Sequence, residues 1–227
     1  MNFKDGIFTS DLIPALHGFT TRSWGNLGYG KNYGDPEVTA NRAKLFEHLG
    51  VQNRTHIQPR QIHSTKVIDS REFVSGIEAD GSFTNSSDHL LSVLTADCLP
   101  ILFYHPDGIV AAVHAGWKGL LNGIIPEAVR IIPDKPIVVI GPAIGVCCYE
   151  VSEDLAADFV NKFGVQFVDQ SKTKPHLDLI GVAIHQLLNG GAEEVEASHL
   201  CTKCHPELFF SYRRDGSSGR QMAFIGR

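Results

Sequence analysis

The sequence predicts a single domain of the α+β class, with strands and helices arranged in layers. Two observations carry that expectation. Short apolar runs of strand composition outnumber helical segments, and the two kinds do not alternate as they would in a doubly wound sheet. A length of 227 residues fits one large domain, or two small ones sharing a core, and residues 1–227 are read as one unit.

The elements follow in order. ALHGFTT (residues 15–21) reads as a short strand, and the Gly- and Asn-rich stretch over residues 21–36 as a loop. Within that loop GNLGYGKNYG offers backbone N–H groups that could cradle phosphate, although it lacks the P-loop pattern and turn chemistry explains its glycines equally well. A helix comes next, capped by Asp35, opened by Pro36 and closed at Gly50. Residues 57–67 read as extended and hold the motif QIHS. Residues 90–95, 99–104 and 109–114 are apolar runs too short for buried helices, and HPDG joins the last two as a hairpin turn. Past AGW the pattern turns helical, with Pro126 restarting a helix in its first turn. IVVIG is a further buried strand, followed by the loop GPAIGVCCYE. Ser152 caps a helix with an acidic first turn, and a second helix closes at Gly190. The tail LFFSYRRDGSSGRQMAFIGR reads as strand, loop, strand.

Composition narrows the function. A formal net charge of -5 and the lack of a basic run disfavour nucleic acid as a partner. No apolar stretch reaches bilayer length, and the first residues, MNFKDGIFTSDLIP, lack the apolar core of a signal peptide. The expected compartment is the cytoplasm, with no membrane partner. There the five cysteines (Cys98, Cys147, Cys148, Cys201 and Cys204) stay reduced and serve as ligands, nucleophiles or core residues. CTKCH, residues 201–205, has the spacing of c-type haem attachment, of half a zinc site or of a redox pair. Haem attachment implies export, so a plain reduced pair is expected. A second, structural metal there would need two further ligands, and Cys147 and Cys148 are the other cysteines available to it.

Three residues share a setting suited to catalysis: His63 in QIHS, Cys98 between two strand runs, and His114 at the end of a third. Two imidazoles and one thiolate suit a borderline-soft divalent ion such as zinc, with copper compatible with the same donors, and leave a fourth position open. Cys98 activated as a nucleophile by His114 is a second reading of the same residues. A small core cysteine and a satisfied core histidine are a third.

GFTTR, QIHS, LTADCLPILF, AAVHAGWKGLLNGI, IGPAIGVCCYEV and FFSYRRDGSSGRQMAFI, in this order from about Gly18 to the end, closely resemble the YfiH-type laccase-domain family. The resemblance implies a layered α/β/β/α sandwich with mixed sheets, distantly similar to cysteine hydrolases of toxin type. It implies a metal held by His63, Cys98 and His114, the same residues being catalytic. It also implies phosphorolysis of purine nucleosides, methylthioadenosine included, with deamination of adenosine. Members have further been described as copper-dependent phenol oxidases and as editors of peptidoglycan precursors. The sequence departs from the family at Lys118, Ser82 and Pro126, where members commonly carry Arg, an apolar residue and an uninterrupted helix.

A phosphate substrate needs cations, and Arg22, Arg213 and Arg214 are the candidates, since guanidinium groups pair bidentately with phosphate. Asp97 could act as a general acid, although a turn-capping Asp is the expectation. The leading expectation is a metal-dependent purine nucleoside phosphorylase with deaminase activity, taking a nucleoside and phosphate. The alternatives are a cysteine hydrolase or peptidoglycan-precursor editor using Cys98 and His114, then a copper-dependent polyphenol oxidase. The sequence leaves open whether the chain is a monomer or a homodimer.

Overall fold

The structure, a computed structural model, describes residues 1–29, 34–132, 135–216 and 219–227. The chain opens with three antiparallel strands, β1 (Asn2–Lys4), β2 (Ile7–Thr9) and β3 (Leu16–Thr20). Helix α1 (Pro36–Leu49) has its expected ends: Asp35 accepts from the Glu37 N–H, Pro36 opens the helix, and Gly50 closes it at φ 68°. Strands β4 (Thr55–Ile57) and β5 (Val67–Asp69) take up only the ends of the segment expected to be extended, so the QIHS motif lies in irregular backbone between them. Strands β6 (Gly81–Thr84), β7 (His89–Thr95), β8 (Leu99–Tyr104) and β9 (Val110–Ala115) follow. The HPDG turn joins β8 to β9 with Gly108 at φ 86°.

Helices α2 (Trp117–Asn122) and α3 (Ile124–Ile131) meet at Gly123, and Pro126 falls in the first turn of α3, where its missing N–H costs no helical bond. Strand β10 (Ile137–Ile140) leads to α4 (Glu153–Phe163), where the Ser152 side chain accepts from the Leu155 N–H. A two-stranded ribbon of β11 (Val168–Asp169) and β12 (His176–Leu177) precedes α5 (Leu179–Asn189), and β13 (Glu194–Ala197) follows it. In the tail, the first expected strand is absent. Residues 208–210 form no ladder, and α6 (Tyr212–Asp215) comes next, capped by Ser211, before β14 (Gln221–Gly226).

Among the described residues the strands make two six-stranded mixed sheets, in the orders β1-β2-β3-β14-β7-β4 and β13-β10-β8-β9-β6-β5. The β4–β7, β5–β6 and β10–β13 pairs are parallel and the others antiparallel. Strand alternation sets the layers. Leu91 and Val93 of β7 face Leu102, Val110, Ala112 and Val139 of the second sheet, forming the core between the sheets. The opposite face of the first sheet, with Leu90, Met222 and Phe224, packs on Leu45 of α1. The opposite face of the second sheet, with Ile101, Phe103 and Val113, packs on α2, α3, α4 and α5. The layering is helix, sheet, sheet, helices. No described helix is long and apolar enough to cross a membrane.

Candidate metal centre

β7 and β8 are three residues apart in sequence yet belong to different sheets, so Ala96, Asp97 and Cys98 carry the chain across one end of the sandwich. The register of the second sheet then brings the site together. In the β8–β9 ladder Pro100 pairs with His114 and Leu99 with Ala115, which puts Cys98 opposite Gly116. In the β6–β9 ladder Gly81 pairs with Val113, which puts Asp80 beside His114, whose N–H donates to the Asp80 carbonyl at 2.7 Å. His114 shares the strand face of Val110 and Ala112, the face turned toward the other sheet.

His63, Cys98 and His114 converge: one ligand atom from each lies within 4.8 Å of the others. Cys98 Sγ is 3.7 Å from His63 Nε2, and the two imidazole rings stand nearly perpendicular with centroids 4.9 Å apart. His114 is 4% exposed and Asp80 is fully buried, whereas His63 lies at the surface and Cys98 is half-buried. Gly116 permits this approach, because a Cβ there would sit 2.7 Å from His63 Cδ2 and 3.1 Å from Cys98 Sγ.

Asp80 organises the centre. Its Oδ1 accepts from His114 Nδ1 at 2.8 Å and from the His63 N–H at 3.0 Å. Its Oδ2 accepts from the Ile62 N–H at 3.2 Å, and from the Ser64 N–H and hydroxyl at 2.6 and 2.7 Å. One buried carboxylate thus fixes the His114 tautomer, leaving Nε2 for the site, and holds the backbone at His63, which sits at φ 61°. Burial pushes the Asp80 carboxyl up, but hydrogen bonds from His114 and Ser64 outweigh it and hold it at about 2. Burial likewise opposes ionisation of Cys98, yet the charge and hydrogen bonds of His114, then His63, bring the thiol down to about 6. For His114, burial favours the neutral ring, but the Cys98 thiolate and Asp80 outweigh it and raise the imidazole to about 9. Asp80 was not foreseen from the sequence. In ADGSFT it looks like any aspartate before a glycine.

The structure treats the predicted cations differently. Arg213 stands beside the centre: its N–H donates to Asp97 Oδ2 at 2.7 Å, and its guanidinium lies 4.9 Å from the centroid of the Tyr149 ring. Its Nη1 donates to the Glu150 carbonyl, while Nε and Nη2 have no partner among the described residues. All five N–H groups of Arg214 are engaged. They bond both oxygens of Asp215 and the carbonyls of Thr202, Lys203 and Phe209. Arg22 donates to the Pro206 carbonyl and lies 5.0 Å from the Phe210 ring centroid, so its contacts are with the 206–210 segment rather than the three ligands. Asp97, at φ 98°, accepts from the Thr202 hydroxyl at 2.6 Å as well as from Arg213, so both its oxygens serve to hold loops. Part of the glycine loop expected to cradle phosphate, residues 30–33, lies outside the described residues.

CTKCH is not an isolated pair. Cys147 and Cys148 meet Cys201 and Cys204, with one sulfur from each within 4.8 Å of the rest.

The donor set fits a divalent ion. For metal–ligand bonds of ~2.0–2.3 Å, tetrahedral geometry sets ligand atoms about 3.3–3.8 Å apart, and the separation of 3.7 Å between Cys98 Sγ and His63 Nε2 falls in that range. The relatives agree with the fold. A purine nucleoside phosphorylase from Haemophilus influenzae is 36% identical over 92% of this chain and 93% of its own length. The purine nucleoside phosphorylase YlmD of Geobacillus stearothermophilus is 34% identical over 94% and 90%. Its crystal structure superposes with a TM-score of 0.88 at 30% identity, covering 100% of this chain and 98% of that one. The crystal structure of YfiH from Bacillus licheniformis gives 0.85 at 28% identity, covering 98% and 99%. Residues 15–227 match the multi-copper polyphenol oxidoreductase laccase family, and with these relatives across nearly its whole length the chain belongs to that family of YfiH-like proteins.

Proposed function

We propose that the chain is a metal-dependent purine nucleoside phosphorylase that also deaminates adenosine, working in the cytoplasm. The observation that carries the proposal is the convergence of His63, Cys98 and His114 beside an arginine with uncommitted N–H groups. Relatives named purine nucleoside phosphorylase, more than one-third identical to this chain, support it. His63, Cys98 and His114 would hold the metal, zinc by preference from its donors with copper as the competitor, and the ion would supply Lewis acidity toward a phosphate or water oxygen.

The chain's own residues do the rest. In phosphorolysis a phosphate oxygen bonds to C1′ of the ribose while the C1′–N9 bond breaks, its electron pair leaving on the purine, which takes up a proton. Arg213 offers Nε and Nη2 to the phosphate, and its own orientation is set by Tyr149 and Glu150. Asp80 keeps a proton on His114 Nδ1, so Nε2 remains a donor of electrons to the site. Asp97 and Thr202 fix the turn that presents Cys98.

The test is release of base from adenosine, inosine and methylthioadenosine with and without phosphate, alongside ammonia release from adenosine. Phosphate-dependent base release should disappear in Cys98→Ala. In Arg213→Ala the KM for phosphate should rise about tenfold or more, the scale of a lost charge-assisted hydrogen bond of ~1.5–3 kcal/mol. Full phosphorolysis by metal-free Cys98→Ala would sink the proposal.

One observation favours a second reading, a cysteine hydrolase of the kind that edits peptidoglycan precursors. Cys98, His114 and Asp80 stand in the order nucleophile, base and orienting carboxylate, with the thiol brought down to about 6. Activity that survives chelation but not alkylation of Cys98 identifies it. Oxidation of phenols by copper is the least favoured reading. His63, Cys98 and His114 provide for one ion, and the other cluster among the described residues has only thiols.

A further inference from the structure

The four cysteines beyond the catalytic centre lie in two loops far apart in sequence. Cys147 and Cys148 follow β10, while Cys201 and Cys204 follow β13. A parallel bridge between Ala143 and Cys201 draws the loops together, and the Thr202 N–H donates to the Ala143 carbonyl at 3.0 Å. Cys204 Sγ lies 3.7 Å from Cys147 Sγ and 3.4 Å from Cys148 Sγ. A disulfide needs sulfurs at ~2.05 Å. Four thiolates around one zinc at bonds of ~2.3 Å stand ~3.8 Å apart. These spacings thus suit ligands of a shared ion, with short shifts drawing all four sulfurs onto it.

The local backbone has the form of a metal knuckle. In C-x-x-C the chain folds back so that the N–H groups of Cys204 and His205 donate to the Cys201 carbonyl at 3.1 and 3.2 Å. The Gly145 N–H donates to Cys201 Sγ at 3.3 Å. Burial opposes a Cys201 thiolate, but the N–H groups of Gly145, Cys204 and Lys203, together with the Cys147 thiol, outweigh it and lower this thiol. Cys147 and Cys148 go the other way: burial and then neighbouring thiols push both up, Cys148 to about 11. Cys147 and Cys148 thus resist ionisation without a cation, and a bound cation removes that resistance. Lys172, donating to the Cys147 carbonyl at 2.9 Å, adds a positive charge beside the cluster.

We propose that Cys147, Cys148, Cys201 and Cys204 form a second, structural metal site that binds one Zn²⁺ through four thiolates. The four thiol protons pass to solvent as the four S–Zn bonds form, and no electron is transferred. Four sulfurs leave no open position, so the site binds no substrate. Its work is bracing. Thr202, between the two ligands of the knuckle, grips Asp97 next to Cys98, and Tyr149 directly follows Cys148 and lies against Arg213. The second metal thereby fixes one wall of the catalytic centre. This site stands independently of the phosphorylase reading, because its test reads metal rather than turnover.

The decisive chain is Cys98→Ala, in which these four are the remaining cysteines. The full-length variant, purified reduced and zinc-replete, should retain one zinc per chain where the unmodified protein holds two. Loaded with Co²⁺ instead, it should show the intense visible bands and near-ultraviolet sulfur-to-cobalt charge transfer of tetrahedral four-thiolate coordination. Cys204→Ser, at an exposed position that does not burden the core, should lose one zinc while the His63–Cys98–His114 centre keeps its own. A reduced Cys98→Ala chain that takes up no zinc overturns the proposal. So does a cobalt spectrum of histidine or water ligation, or a disulfide between Cys204 and either Cys147 or Cys148 in protein purified without oxygen.

Discussion

Replacing Asp80 by Asn tests the arrangement behind both histidines at nearly constant volume. The carboxylate accepts five hydrogen bonds, and an amide keeps one oxygen while turning its NH₂ toward groups that also donate. Two independent magnitudes can be set on the change. The fall of the Asp80 carboxyl from 3.8 to about 2 corresponds to roughly 2.4 kcal/mol, at ~1.36 kcal/mol per pH unit. Leaving one or two buried donors unpaired costs ~1–3 kcal/mol. The terms overlap, so the metal-free Asn variant should be less stable by about 2–4 kcal/mol near neutral pH. The sign with pH follows from the lowered carboxyl. The stability it contributes is complete above the unfolded value near 4 and is lost as pH falls toward about 2, so the gap between the two proteins should narrow over that window. Urea unfolding in a pH series measures this, and a chelator competition titration should show metal affinity reduced about 10- to 100-fold. An Asn variant with unchanged urea midpoints and unchanged metal affinity would refute the role given to Asp80.

Gly116→Ala should leave secondary structure intact while abolishing metal binding at the His63–Cys98–His114 cluster, because the added Cβ occupies the space between His63 and Cys98; circular dichroism with elemental analysis checks both halves. In the metal-free chain, Cys98 should be the thiol alkylated first near neutral pH, with a rate that rises between about pH 5 and 7 and then levels, since it ionises at about 6 against an ordinary 9.0. Peptide mapping after iodoacetamide pulses reads this, and a rate still climbing at pH 8 contradicts it. Ser82 Oγ is buried with no hydrogen-bond partner among the described residues, so Ser82→Ala should be neutral or stabilising by up to about 1 kcal/mol in thermal unfolding. A loss of stability larger than that would show an unseen partner for the hydroxyl.

Local chemistry made much of the fold legible. The caps Asp35 and Ser152, the stop at Gly50 and the restart at Pro126 are properties of a few neighbouring residues, and each works in the structure as read. The apolar runs that became β7, β8 and β9 were equally plain. The edge strands β1 and β13 were not, because β1 is exposed throughout and β13 has no buried residue to mark it. The tail misled for the opposite reason. Phe209 is fully buried and looks like strand, but it fills the core between the sheets from an irregular segment while α6 follows.

The candidate site divides along the same line. Residue type and motif singled out His63, Cys98 and His114 and, with the resemblance, tied them to a metal, because donor chemistry belongs to the side chain itself. Only the tertiary structure decided that β7 and β8 part company into different sheets, making Cys98 the crossing point, and that two ladder registers bring Asp80 to His114. It alone sorted three similar arginines, satisfying every donor of Arg214 and leaving Arg213 with Nε and Nη2 to offer. It also joined Cys147 and Cys148 to CTKCH across more than fifty residues of chain. Alternation of apolar residues says which face of a strand is buried and is silent on which strand lies beside it. Contacts made by that pairing are therefore invisible until the sheets are assembled.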